Sequence, residues 1–106
     1  MCYPAATMAI DMKAMRRRVR PASGLLKAMS NERRLLILCH LMQGEKSVGE
    51  LEKLIGISQS ALSQHLAWLR RDELVKTRRS AQQIFYSLSG KEARAIIRTL
   101  NKIFVR

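Results

Sequence analysis

Four small polar side chains fall at a spacing that suits reading a surface rather than reacting with one. Gln59, Ser60, Ser63 and Gln64 stand at i, i+1, i+4 and i+5, which is one side of a helix. Amide and hydroxyl groups placed there can reach base edges, and their small size lets a helix sit deep in a DNA major groove. Arg70 and Arg71 follow at the far end, with Lys76, Arg78 and Arg79 just beyond. Such bases meet phosphate oxygens, and an arginine at a hairpin tip could also enter the minor groove. Catalysis has a poorer basis. The chain holds two cysteines, Cys2 and Cys39, and two histidines, His40 and His65. A thiol nucleophile needs a base and an orienting group, and no orienting Asp or Asn, Gly-rich phosphate loop or pair of carboxylates accompanies them. No enzyme is expected. Zinc takes about four N or S ligands, and these four residues are scattered, so neither a metal nor another cofactor is expected.

The elements that would position these residues follow from punctuation and period. Pro21 suits a first helical position and opens a short helix to Met29. Asn31 caps a second helix that reaches Met42 and stops at Gly44. It is apolar nearly all round, with Cys39 inside a stripe of Leu35, Leu38 and Met42, so it should be buried. Ser47 and Glu50 form a capping box for a third helix, Val48 to Ile55, and Gly56 supplies its left-handed stop. Ser58 caps the fourth helix, which runs to about Asp72. Ala61, Leu62, His65, Leu66 and Leu69 share its greasy face, Gln59, Ser60, Ser63, Gln64, Ala67, Arg70 and Arg71 the other, and Trp68 the border. Leu74–Thr77 and Ile84–Leu88 are rich in β-formers and flank a basic tip at 78–83. Ser89 and Glu92 read as a second capping box for a last helix with Ala93, Ile96, Ile97, Leu100, Ile103 and Phe104 on one stripe. Helix, three-residue turn, helix, basic hairpin and final helix describe a winged helix-turn-helix, mainly α with one β-hairpin, in the order α-α-α-α-β-β-α.

Charge and size agree with that reading. The 106 residues carry 20 Lys and Arg against 8 Asp and Glu, a net charge of +12, and 47% are hydrophobic. That is enough for one packed domain and too apolar for a disordered tail. Residues 1–20 hold five bases against one acid and read as a basic arm. Residues 21–106 would form the DNA-binding and dimerisation domain. Residues 31–57 are neutral, whereas 58–83 carry five bases against two acids. Such segregation points to a polyanion partner. The longest apolar run, Leu35 to Cys39, is far short of a membrane span. The first ten residues are mildly apolar with the charges after them, which is not a secretory pattern. Two distant cysteines make no disulfide framework, so a cytoplasmic location is expected. The apolar stripe of the last helix, with the helix at 21–29, could bury against a second copy and space two reading helices about 34–36 Å apart. A non-specific nucleic-acid-binding or nucleoid-coating module, or an anti-repressor, is the rival reading.

Several segments carry a resemblance. Ala28-Met29-Ser30-Asn31-Glu32-Arg33-Arg34-Leu35, Ser47-Val48-Gly49-Glu50-Leu51, Ser58 to Leu66 and Phe85-Tyr86 look like the ArsR/SmtB winged-helix repressors. The likeness covers about residues 22–105. With Ala67-Trp68-Leu69-Arg70-Arg71-Asp72 included, the chain most resembles their HlyU, SqrR and BigR thiol-sensing group. This resemblance implies a homodimer joined through its first and last helices, which binds operator DNA and changes its grip when an inducer such as sulfane sulfur or an oxidant is sensed. It also implies one sensing Cys on the second helix, matched by Cys39, and another near the end of the last helix, where Val105 stands instead. The family's bridged form needs a sulfur at each end. Three readings therefore stand: Cys39 alone takes a reversible cap, Cys2 replaces the missing partner, or Cys39 is an inert small hydrophobe.

Overall fold

The computed structural model describes residues 9–105. Five helices and three strands are arranged in the order α1 (Met12–Met29), α2 (Glu32–Met42), β1 (Lys46–Ser47), α3 (Val48–Ile55), α4 (Gln59–Arg71), β2 (Val75–Ser80), β3 (Gln83–Leu88) and α5 (Glu92–Phe104). The winged helix-turn-helix is present, with one strand beyond the hairpin. β1 adds to the outer edge of β3, giving the antiparallel order β1-β3-β2. Two residues of strand leave too short a pattern to read in advance.

The helices begin where side chains satisfy their orphan N–H groups. The Asn31 side chain accepts from the Arg33 and Arg34 N–H groups, at 2.9 and 3.1 Å. Ser47 and Glu50 close the expected capping box, with N–H to oxygen distances of 2.8 and 3.1 Å. Between α3 and α4, Gly56 takes φ 76°, the left-handed conformation glycine adopts without steric cost. Ser58 Oγ then accepts from the Ala61 N–H at 3.1 Å. Three residues thus turn one helix into the next.

Three expectations about where elements begin and end are corrected. α1 does not begin at Pro21: Asp11 caps it, accepting from the Ala14 N–H at 3.1 Å, and Pro21 lies inside. Proline's fixed φ fits a helix, and the hydrogen bond it removes is the one to the Arg17 carbonyl. Arg17 and Pro21 are both exposed, so water can reach that oxygen. Residues 12–20 of the expected arm are therefore helical and run unbroken into residues 21–29. The box at Ser89 and Glu92 does not form. Gly90 turns the chain at φ 76°, and Lys91 takes the cap position without a side-chain bond. Lastly, the hairpin is longer than its β-formers suggest: Ser80 pairs with Gln83, so Arg78 and Arg79 belong to β2 and the turn is only Ala81-Gln82.

The core gathers one stripe from each helix and the inner ends of the hairpin. Ile37, Leu38 and Leu41 of α2 meet Leu51 of α3, Leu62, Leu66 and Leu69 of α4, Leu88 of β3 and Ile97 of α5. α1 joins through its C-terminal part, where Ala28 and Met29 are buried and Leu25 packs against the core. α2 is not buried all round. Leu36 and Cys39 face outward, while Arg34 shares the buried stripe at helical spacing with Ile37, Leu38 and Leu41.

Candidate nucleic-acid interface

α4 keeps its greasy face inward, so its polar face is set by packing rather than by local preference. Leu62, Leu66 and Leu69 are buried. Gln59, Ser60, Ser63, Gln64, Ala67, Arg70 and Arg71 are all exposed, as the helical period predicts. This face does not stand alone. Gln59, Ser63, Ala67 and Arg70 share an open groove of about 630 Å³ with Ile84 and Tyr86 of β3. Beside it, Gln59 also borders a groove of about 400 Å³ with Gln82 and Gln83 at the wing turn. These two amides extend the same polar surface. Sequence reasoning misses them because the arginines dominate their segment, although an adjacent Gln pair is the signal that marks them.

The hairpin divides its cations between two faces. Directly paired residues on neighbouring strands point to the same side of a sheet. Arg79 pairs with Ile84 and Thr77 with Tyr86, so both share the side of the groove. Lys76 and Arg78 alternate to the other side, opposite Ser87 and Phe85. Arg78 is also engaged. Its Nε and Nη2 donate to the two Glu45 carboxylate oxygens at 2.8 and 2.7 Å, and its guanidinium lies 4.5 Å from the Phe85 ring centre. The hydrogen-bonded guanidinium holds the Glu45 carboxyl below the ordinary carboxylate range. A fork of this kind ties the wing to the corner between α2 and β1. Arg78, expected to be a tip residue, thus sits within the strand and spans to Glu45.

The cysteine expectation changes more. Cys39 is exposed rather than central to a buried stripe. Its surroundings are still apolar enough that partial burial pushes its thiol up from the ordinary value. Cys2 lies outside the described residues. Val105 caps the end of α5 and is exposed. His65 is half-buried on the inner side of α4; desolvation first, then the Arg34 and Arg33 charges, push its pKa down. Among the described residues no group of three or more His, Cys, Asp or Glu could hold a metal ion, and no helix is long and apolar enough to cross a membrane.

Comparison with known proteins shows the family of the chain. Residues 31–77 match the model of the bacterial regulatory protein arsR family. The transcriptional activator HlyU of Vibrio cholerae is 54% identical over 95 residues, covering 90% of this chain and 88% of that protein. The chain belongs to the ArsR family. It is a DNA-binding transcriptional regulator of that family and not an enzyme. The biofilm growth-associated repressor of Xylella fastidiosa is 46% identical over 90 residues, covering 85% of this chain and 79% of that protein. Among solved structures, reduced HlyU from Vibrio cholerae superposes with a TM-score of 0.83 at 54% identity, covering 89% of this chain and 99% of that one. The repressor BigR from Xylella fastidiosa gives 0.86 at 42%, covering 92% and 99%. The ArsR-type winged fold is common to all three.

Proposed function

We propose that this ArsR-family chain is a homodimeric repressor that occupies operator DNA in the cytoplasm and is released or re-set through a thiol. One observation carries the reading: the exposed polar face of α4 and the inner face of the wing frame one groove. Gln59, Ser60, Ser63 and Gln64 read base edges, and Arg70, Arg71 and Arg79 contact phosphates. Arg78 holds the wing in place through Glu45, and Lys76 lies on that same outer side. The dimer is supported by large apolar residues that are exposed among the described residues. Met12, Met15, Val19 and Leu26 form an exposed stripe on α1, and Ile103 and Phe104 are exposed at the end of α5. The Cys39 thiolate attacks a sulfane sulfur of a polysulfide, breaking the donor's S–S bond, so that Cys39 becomes a persulfide and the shortened donor leaves as its thiolate. The exposure of Cys39 supports this, as does the relation to a protein whose structure is described as reduced HlyU.

The test is selection of duplexes of about 30 base pairs from a random pool, long enough for two half-sites one helical turn apart. The proposal expects enrichment of a palindromic sequence bound by two protomers, with weaker binding after sulfane-sulfur treatment. A pool without enrichment, bound with salt dependence alone, would make the chain a non-specific coating module and overturn the reading.

A further inference from the structure

The chain's single tryptophan, Trp68, sits at the far end of α4 between two arginines with different roles. Arg34 lies 4.0 Å and Arg71 5.2 Å from the centre of its ring. Arg34 is buried, and its Nε and Nη2 donate to the Ala28 and Lys27 carbonyls at 2.6 and 3.2 Å. No carboxylate faces it among the described residues. Its charge is met by the negative end of the α1 dipole and by the indole face. The indole is held at its edge as well, since Nε1 donates to Asp72 Oδ2 at 3.1 Å. The other Asp72 oxygen lies 3.7 Å from Arg71 Nε. Arg71 is otherwise open to solvent and borders the reading groove.

We propose that Trp68 is a positioning residue for Arg71, and that Arg34 holds the ring against the last turn of α1. A free arginine loses rotamer entropy when it grips a phosphate, and a side chain already stacked on a fixed ring loses less. The stack also makes the phosphate grip depend on where α1 ends, the helix proposed above to form the dimer face. This inference rests on the DNA-reading role assigned to α4.

The test measures affinity for the selected duplex over a series of salt concentrations, for Arg71→Ala, Trp68→Leu, Trp68→Phe and the Arg71→Ala/Trp68→Leu pair. Arg71→Ala should weaken binding about tenfold and reduce the salt slope by about one. Trp68→Leu removes no charge, yet should reproduce most of both effects. The double variant should be no worse than Arg71→Ala, because both changes remove one unit of function. Trp68→Phe, which keeps an aromatic face, should restore the slope. A wild-type slope in Trp68→Leu, or losses that multiply in the double variant, would overturn the inference. A second readout needs no change at the ring: duplex binding should alter Trp68 emission in the wild type and alter it less in saturated Arg71→Ala. Equal changes in both proteins would overturn it too. A wild-type protein that binds no duplex would fail the α4 reading and take this inference with it, whereas additive losses in a protein that binds well sink the inference alone.

Discussion

Replacing Arg34 by Met removes a buried guanidinium while keeping most of its aliphatic length. Two hydrogen bonds from an ionised donor are lost, to the Ala28 and Lys27 carbonyls. The stack on Trp68 is lost as well. Ala28 is fully buried, so its carbonyl has little access to water, and an unsatisfied buried acceptor costs about 1–3 kcal/mol. The cation–π contact adds about 1 kcal/mol. Part of this is returned, because the wild type holds an ion away from water without a carboxylate partner. The net loss should be about 2 kcal/mol, and at 4–8 °C per kcal/mol for a domain of this size the melting midpoint should fall by about 8–16 °C. Urea and thermal unfolding at one fixed protomer concentration measure it, since a dimer's apparent stability depends on concentration. Arg34→Lys should fall between the two, because an ammonium can reach one carbonyl but offers no planar face to the ring. A Met variant within about 0.5 kcal/mol of the wild type, the usual scale of surface changes, would refute the view that this guanidinium fastens α1 to α4.

The titrating groups give three further outcomes. Glu45 is held below the ordinary carboxylate value by Arg78, so its contribution is present above that value and lost as pH falls through the lower folded one. The protection of the β2 and β3 amides, taken as the intrinsic exchange rate at each pH divided by the observed rate, should therefore fall below about pH 4, and Glu45→Ala should show the lowered protection already at neutral pH, with no acid step; a step of unchanged size would remove the fork from the wing. His65 is depressed by desolvation and by Arg34 and Arg33, so the unfolded chain binds its proton more readily. Stability should decline as pH drops below about 6.5, and His65→Gln should flatten the decline; an unaltered curve would contradict it. Burial pushes the Cys39 thiol up, which keeps its thiolate scarce at neutral pH. Persulfide formation followed by intact mass should therefore accelerate by about tenfold per pH unit from 7 to 8.5, and a flat rate would refute a Cys39 thiolate as the reacting species.

The polar face of α4 was legible because a single period decided it: buried leucines at one side force glutamines and serines to the other. The helix-turn-helix corner was equally plain, since Gly56 and Ser58 leave a sharp chemical signature. α2 was not legible in the same way. A helix apolar on nearly every side does not say which side meets the core, and Cys39 and Leu36 proved to be outside. Arg34 counts as one surface base in a neutral block, although its place at i with Ile37, Leu38 and Leu41 at i+3, i+4 and i+7 marks it for burial. A charge overrides that signal in any reading by hydrophobicity; only the free carbonyls at the end of α1 and the ring of Trp68 explain it. The placement of the wing's cations was illegible for a different reason. Strand alternation depends on register, and register depended on how far the pairing reached toward Ala81, a residue at φ 55° that carries no turn signature. Pro21 misled by its reputation, since an exposed helix tolerates it where a buried one would not.

The central claim is that α4 reads sequence through its amides, and Gln64→Ala tests it most directly. Gln64 is exposed, on the side of α4 away from the buried leucines, so the variant should fold as the wild type does. Its affinity should be measured for the selected duplex and for a scrambled duplex of the same length at one salt concentration. Loss of a base-edge contact predicts a fall on the selected duplex of about 1–3 kcal/mol, with little change on the scrambled one. Equal loss on both duplexes, or none on either, would contradict the account.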